Sequence, residues 1–245
     1  MRVSRFYQEG DIQEGEEMDL SQANHRHAVQ VLRLKKGDNL ILFNGRGGEY
    51  QASVIATDKR QSQVLIENHI QIDRESSLEL TLILANIKPD KMDYAIQKAV
   101  ELGVSTIQPM YTKRSVIKLK SNRLEKKMQH WQGVIIAACE QSGRTSIPEI
   151  KKPCDFNEIF SLYAETTQIS MLPGSENKIQ QMKLDESHNG VSLIIGPEGG
   201  FSDDEEKIMQ TNKVHSVNFG KRILRAETAV VAGITACQMT WGDLS

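Results

Sequence analysis

Cysteine is scarce in this chain of 245 residues: Cys139, Cys154 and Cys237 are an odd number in no paired spacing. That excludes a disulfide scaffold or zinc ribbon and points to a reducing compartment. No uncharged apolar run reaches about 18 residues, so no membrane span is expected. The opening Met1-Arg2-Val3-Ser4-Arg5 runs into acidic text without an apolar core, so no secretory signal is expected and the location reads as cytoplasmic. Neither charge dominates: 30 Lys+Arg face 32 Asp+Glu, which excludes a polycation coating nucleic acid but leaves room for a local basic patch. Metal-ligand spacing is missing from the six histidines; His25 and His27, two apart, point to different sides of a helix. A P-loop is absent too. Gly45-Arg46-Gly47 lies between short strands with no third glycine in register, which makes it a hairpin loop and not a dinucleotide fingerprint.

What is present is ordinary globular material, 39% hydrophobic and 25% charged, enough for one large or two modest domains. Two periods divide it. From Asn39 to Ile70, short apolar runs alternate with Gly, Asn and Asp turns, which predicts a small antiparallel sheet or barrel. A short helix is expected within 21–34, with Ser21 as N-cap. The polar run Asp73-Arg74-Glu75-Ser76-Ser77 reads as a linker, giving an expected division into 1–73 and 74–245. Beyond it, strands and helices alternate. Strands are predicted at 80–85, 104–110, 167–172, 191–195 and 214–219. A helix carries Met92, Ala95, Ile96, Ala99 and Val100, and a longer one Leu124, Met128, Trp131, Ile135 and Ala138, with Asn122 and Glu125 offering a capping box. Ser202-x-x-Glu205 starts another helix. The stretch from Ala226 to Met239 is apolar nearly all round and so belongs in a core or a subunit interface. This alternation predicts an α/β domain, an open parallel sheet with helices on both faces.

Three glycine-bearing turns follow successive predicted strands: Leu172-Pro173-Gly174, Gly196-Pro197-Glu198-Gly199-Gly200 and Gly220-Lys221-Arg222-Ile223-Leu224-Arg225. Ligands of open α/β sheets bind beyond the carboxyl ends of strands, and glycine lets the backbone approach them. The turns bring no Lys or Arg cluster around Gly196, only Glu198 and apolar neighbours, which suits a neutral or cationic ligand better than a nucleoside triphosphate.

These same runs, Gly196–Ser202 and Gly220–Ala229, resemble the signature of the RsmE-type SPOUT methyltransferases. The resemblance extends to Lys98–Gly103, Glu140-Gln141-Ser142-Gly143-Arg144, Arg2–Tyr7, and His27 with Val31-Leu32-Arg33, so it spans essentially the whole chain. Ala226 stands where such proteins often carry Thr. The resemblance implies an α/β SPOUT domain whose C-terminal segment threads a deep trefoil knot, preceded by a small PUA-like β-barrel that helps bind RNA. It implies a homodimer joined through the last helix. It also implies S-adenosylmethionine held by Leu172, Pro173, Gly174, Gly196, Pro197, Glu198, Gly199, Gly220, Ile223, Leu224 and Arg225. The product implied is N3-methyluridine in 16S ribosomal RNA of the small subunit, near the decoding site.

Uridine N3 carries a proton at neutral pH, so the reaction needs a proton acceptor or a group stabilising the anion. Arg225 beside the pocket suits the second role. Glu198 is the nearest base, or else a carboxylate that accepts backbone N–H bonds. Glu227, opening the last helix, reads as compensating its dipole. For RNA, residues 113–127 hold seven Lys or Arg against the single Glu125. Lys113 and Arg114 there, Arg144 as a phosphate clamp, and Arg2, Arg5, His27 and Arg33 on the small domain are the candidate contacts. The rival readings are a related enzyme acting on transfer RNA or a ribose hydroxyl, and a non-catalytic ribosome-assembly protein.

Overall fold

The structure, a computed structural model, describes residues 3–115, 121–184 and 187–244, with backbone alone at 121 and 122. Its chain forms two compact units, Met1–Glu75 with Cys139–Ile147, and Ser76–Ala138 with Pro148–Ser245. The first is discontinuous, unlike the contiguous 1–73 read from the sequence.

In the first unit, β1 (Ser4–Tyr7), β2 (Glu17–Asp19), β3 (Asn39–Phe43), β4 (Glu49–Thr57) and β5 (Ser62–Ile70) form one sheet in the order β1-β3-β4-β5-β2. It is antiparallel except that β1 runs parallel to β3, a long-range pairing no local pattern announces. Alternation along the strands turns Leu40, Leu42, Ala52, Val54, Val64 and Ile66 into a core shared with Phe6, Ile12, Leu20 and Ala28. Ser21 caps α1 (Gln22–Arg26) by accepting from Asn24 N, and a π-helical turn, His27–Val31, follows.

A cluster of ion pairs fastens 139–147 into this unit. Arg5 is buried, paired with Glu49, stacked over Phe43 at 4.9 Å and bonded to the Arg144 carbonyl at 3.0 Å. Burial holds its guanidinium below the ordinary range, with Glu49 pulling the other way. Arg74 bonds Glu49 and the Gly143 carbonyl. Arg144, itself buried, pairs with Glu75, whose other oxygen accepts from the backbone of Thr145 and Ser146. Glu140 accepts from Tyr7 N, and burial raises its carboxyl above the usual range. A guanidinium with its carboxylate in place inside the protein has no reason to leave for a phosphate.

The second unit is built on β6 (Leu80–Ala85), β7 (Thr106–Tyr111), β8 (Glu149–Ile150), β9 (Cys154–Asp155), β10 (Thr167–Met171), β11 (Val191–Ile195) and β12 (His215–Val217). All pairs are parallel, in the order β12-β10-β11-β6-β7, with β7 also pairing β8 and β9. The central strands β6 and β11 are almost wholly buried, as their mainly apolar text, interrupted only by Thr81 and Ser192, requires. The helices are α2 (Pro89–Glu101), α3 (Ser121–Ser142, whose residues from Cys139 on belong to the first unit), α4 (Ile159–Leu162), α5 (Asp203–Thr211) and α6 (Ala226–Trp241). Ile194 packs with Ile159, Phe160 and Met209 of α4 and α5. The neighbouring Leu193 meets α6 at Gly233. Adjacent strand residues point to opposite faces, so helices cover both. Ser202 and Glu205 form the expected capping box. The proposed cap at Asn122 lies outside the described side chains. Strands β8 and β9, two residues each, and the single turn α4 were not read from the sequence; such short elements carry no period.

Candidate active site

Because β12, β10 and β11 are parallel neighbours, the segments after them emerge at one edge. There they enclose a cavity of about 610 Å³. Leu172, Pro173, Gly196, Pro197, Glu198, Gly220, Ile223, Leu224 and Arg225 all line it, joined by Met171, Ile195, Phe201, Asn218 and Phe219. Gly174 and Gly199, expected there, do not. Gly174 faces open space, and a Cβ on Gly199 would meet Arg114 at 3.5 Å.

The walls are held by specific bonds. Leu172 N donates to the Val217 carbonyl (3.1 Å), and Ser175 Oγ and Asn177 Nδ2 donate to the Ser216 carbonyl (2.6 and 3.1 Å), tying the first turn to the third strand. Gly200 N closes the second turn on the Pro197 carbonyl at 2.9 Å. Phe201 folds beneath that turn; a Cβ on Gly196 would meet its ring at 2.9 Å, so only glycine lets the ring lie against the strand end. Buried Glu205 accepts from Ser202 N (2.8 Å) and from Lys113 N (2.7 Å).

Arg114 belongs to this site rather than to a free basic face. Its Nη1 donates to the carbonyls of Gly199 (2.9 Å) and Phe201 (3.0 Å) while the side chain lines the cavity. Lys113 pairs with Asp204 at 3.2 Å in the open. Of the remaining basic run, Lys127 pairs with Asp93 and lies over Trp131, Arg123 and Lys126 are exposed, and Lys118 and Lys120 lie outside the described residues. Reversing Lys113 and Arg114 would therefore disturb the pocket as well as any RNA contact.

Glu198 is exposed, and its Oε1 accepts from Lys88 N at 3.2 Å, just ahead of α2. Glu198 is thus a carboxylate that accepts a backbone N–H bond. Arg225 is the exposed N-cap residue of α6; its carbonyl accepts from Ala229 N at 2.8 Å, and the residue lines the cavity. Glu227 is buried in the first turn of α6 and pairs with Lys91 at 3.3 Å.

Lys88 and Lys91 were missed by the sequence reading, although they follow β6 as the glycine turns follow their strands. Position at a strand end was the signal, and glycine content hid it. With Arg114, Arg222 and Arg225 they give the cavity five cationic side chains against Glu198, Glu206 and Glu227. This corrects the expectation of a site poor in Lys and Arg: none of the five belongs to the Gly196 turn, but Arg222 and Arg225 come from the third glycine turn and Lys88, Lys91 and Arg114 from other elements.

The other expected RNA contacts lie in the first unit. His27 and Arg33 are exposed, His27 edge-on to Phe6 and Arg33 at φ +57°. Arg5 and Arg144 are buried in the ion pairs described above, which removes them as phosphate contacts. Arg2 lies outside the described residues. Among the described residues no group of three His, Cys, Asp or Glu could hold a metal ion, and no helix is long and apolar enough to cross a membrane.

Residues 74–238 match the family described as RNA methyltransferase domain, and residues 20–67 the one described as RNA methyltransferase PUA domain. A protein from Legionella pneumophila, solved in complex with bound cofactor SAM, is 36% identical with a TM-score of 0.95 and full coverage of both chains. The ribosomal RNA small subunit methyltransferase E of Neisseria gonorrhoeae, solved bound to S-adenosyl methionine, is 33% identical with a TM-score of 0.92, again over 100% of both. Its namesake from Buchnera aphidicola subsp. Schizaphis graminum is 36% identical over 251 residues, 100% of this chain and 99% of the relative.

Proposed function

This chain belongs to the ribosomal RNA small subunit methyltransferase E family, and from that premise we propose that it methylates N3 of a uridine in 16S ribosomal RNA near the decoding site, using S-adenosylmethionine. The observation that carries the reading is the convergence of three parallel strand ends on one cavity. Its volume lies in the roughly 300–1,000 Å³ range of small-molecule sites.

The lining suits the cofactor. Met171, Leu172, Ile195 and Leu224 offer apolar walls for a purine, and the main chain at Pro173, Gly196 and Gly220 offers polar groups without side chains in the way. When bound, the cofactor supplies an electrophilic methyl group. The chain's own residues do the rest. Pocket walls braced by Arg114, Glu205 and Phe201 fix the line of attack, where positioning supplies much of the rate. Arg225 at the rim stabilises the imide anion left when N3 gives up its proton, which passes to water or to a rim carboxylate. Glu198, bonded to Lys88 N, positions the start of α2. Lys88 and Arg222 face RNA phosphate.

A homodimer is part of this reading. Val231, Ala232, Thr235 and Ala236 on α6 are only half buried and Met239 is 59% exposed, an apolar strip left over after α6 has packed in its own chain. The C-terminal knot is also part of it, supported by a strand order in which β11 enters between β10 and β6 before β12 is added outside. Cytoplasmic action follows from a ribosomal substrate.

The test incubates purified protein with small subunits from cells lacking it and isotopically labelled S-adenosylmethionine, then maps the RNA by mass. One labelled methyl on a uridine base at N3 is expected. A label on ribose, a label on transfer RNA but not on small subunits when both are supplied, or cofactor binding with no transfer to either would replace the reading with one of its rivals.

A further inference from the structure

The first unit has a cavity of its own, about 390 Å³, lined by Asp11, Ile12, Gln13, Asn44, Arg46, Gly47, Tyr50, His69 and Gln71. Asn44, Arg46 and Gly47 belong to the connection between β3 and β4, the glycine-rich hairpin that the chemistry of the second unit leaves without a task. Tyr50 and His69 are cross-strand partners on β4 and β5, with ring centroids 4.5 Å apart and planes tilted by 32°. His69 is exposed and Tyr50 half buried against the core. The His69 ring crosses directly over Gly48, where any Cβ would collide with its Nε2, so the glycine permits the ring's position. Arg46 lines the same cavity and pairs with Asp11, both largely exposed. Such a pair adds little to stability, so it does not account for the arrangement. The side-chain amides of Gln13 and Gln71 are exposed at the same rim.

An exposed aromatic platform, a neighbouring guanidinium and amides able both to donate and to accept are the elements that recognise an unstacked nucleobase. We propose that this cavity holds one unpaired base of the RNA substrate, stacked on the Tyr50–His69 pair with a phosphate at Arg46 and the base edge at Gln13 and Gln71. This rests on the reading of the chain as an RNA methyltransferase and assigns the small unit a base-binding role rather than backbone contact alone.

The test uses the full chain, with fluorescein-labelled octauridine RNA and an abasic oligonucleotide of equal length, in equilibrium anisotropy. His69→Ala, at an exposed position, should weaken octauridine binding by about tenfold and leave abasic binding within about twofold. His69→Phe should restore affinity, which a role in hydrogen bonding alone would not allow. Arg46→Gln should weaken both oligonucleotides. Octauridine affinity unchanged in His69→Ala, an abasic oligonucleotide bound as tightly as octauridine, or a parent chain that binds S-adenosylmethionine but no octauridine would each overturn the proposal. Calorimetry with S-adenosylmethionine on the same samples separates the two readings. Loss of base discrimination in a chain that never binds the cofactor leaves the base site standing and removes the methyltransferase.

Discussion

Two arginines of the first unit and three at the cavity of the second have opposite fates. In the first, Arg5 and Arg144 are buried, each with a carboxylate and each tied to the 139–147 segment, so their charges are consumed in holding chain to chain. In the second, Arg225 and Arg222 stand exposed at a cavity whose walls are fixed by other groups, and Arg114 braces one of those walls through two carbonyls. A guanidinium near a ligand site acts on the ligand only where the fold leaves its donors unspent, and that depends on burial and partners rather than on residue type.

The sharpest way to break this comparison is Glu49→Ala. It leaves Arg5 buried without its main partner, which should cost the first unit about 3–5 kcal/mol. Denaturant unfolding should report that loss while cofactor affinity in the second unit holds; a drop near zero would mean that Arg5 is solvated. Next comes Arg225→Ala. A role at the developing anion predicts a kcat lower by about a hundredfold with cofactor affinity nearly kept; if binding alone suffers, Arg225 only places the cofactor.

Gly196→Val should push the Phe201 ring into the cavity, an overpacking worth about 1–3 kcal/mol, seen as weaker S-adenosylmethionine binding by a chain that still folds. Retained affinity would remove Gly196 from the cradle. Reversing exposed Arg123 and Lys126 to Glu, a cleaner probe than Lys113 with Arg114, should flatten the salt dependence of RNA binding by about one to two in log–log slope. An unchanged slope makes that helix face merely solvated.

The smallest effect concerns the thiols. Burial pushes Cys139 and Cys237 up to about 12. A thiol raised above its unfolded value of 9.0 adds no pH dependence below that value. It loses stability as pH rises from there toward the folded value, because the unfolded chain ionises first. At pH 8 both should resist a thiol reagent in the native chain and react on unfolding; fast native labelling would contradict their burial.

Much of the second unit was legible in advance. Leu80–Ala85 and Val191–Ile195 are strands to the residue, since a short, mainly apolar run, broken only by Thr81 or Ser192, is a strand buried on both faces. The Ser202 capping box and the apolar stretch from Ala226 to Met239, a helix that runs on to Trp241, are equally local signals. The pocket was legible because parallel strands must end at a common edge, so three turns could be assigned to one place. Arg5, Arg144 and Lys88 were not. Arg5 and Arg144 look like any surface cation until Glu49 and Glu75, 44 and 69 residues away, close on them. Lys88 had no glycine to advertise it.

Sequence alone determined the periods, the caps, the strand ends and hence the existence of a cleft, because each depends on neighbours within a few residues. Only the tertiary structure decided which charges are neutralised inside the protein and which face the cavity, that 139–147 joins the first unit, and that Tyr50 meets His69 across a hairpin. Those outcomes depend on distance and desolvation between groups far apart in the chain, and neither quantity is written in the order of residues.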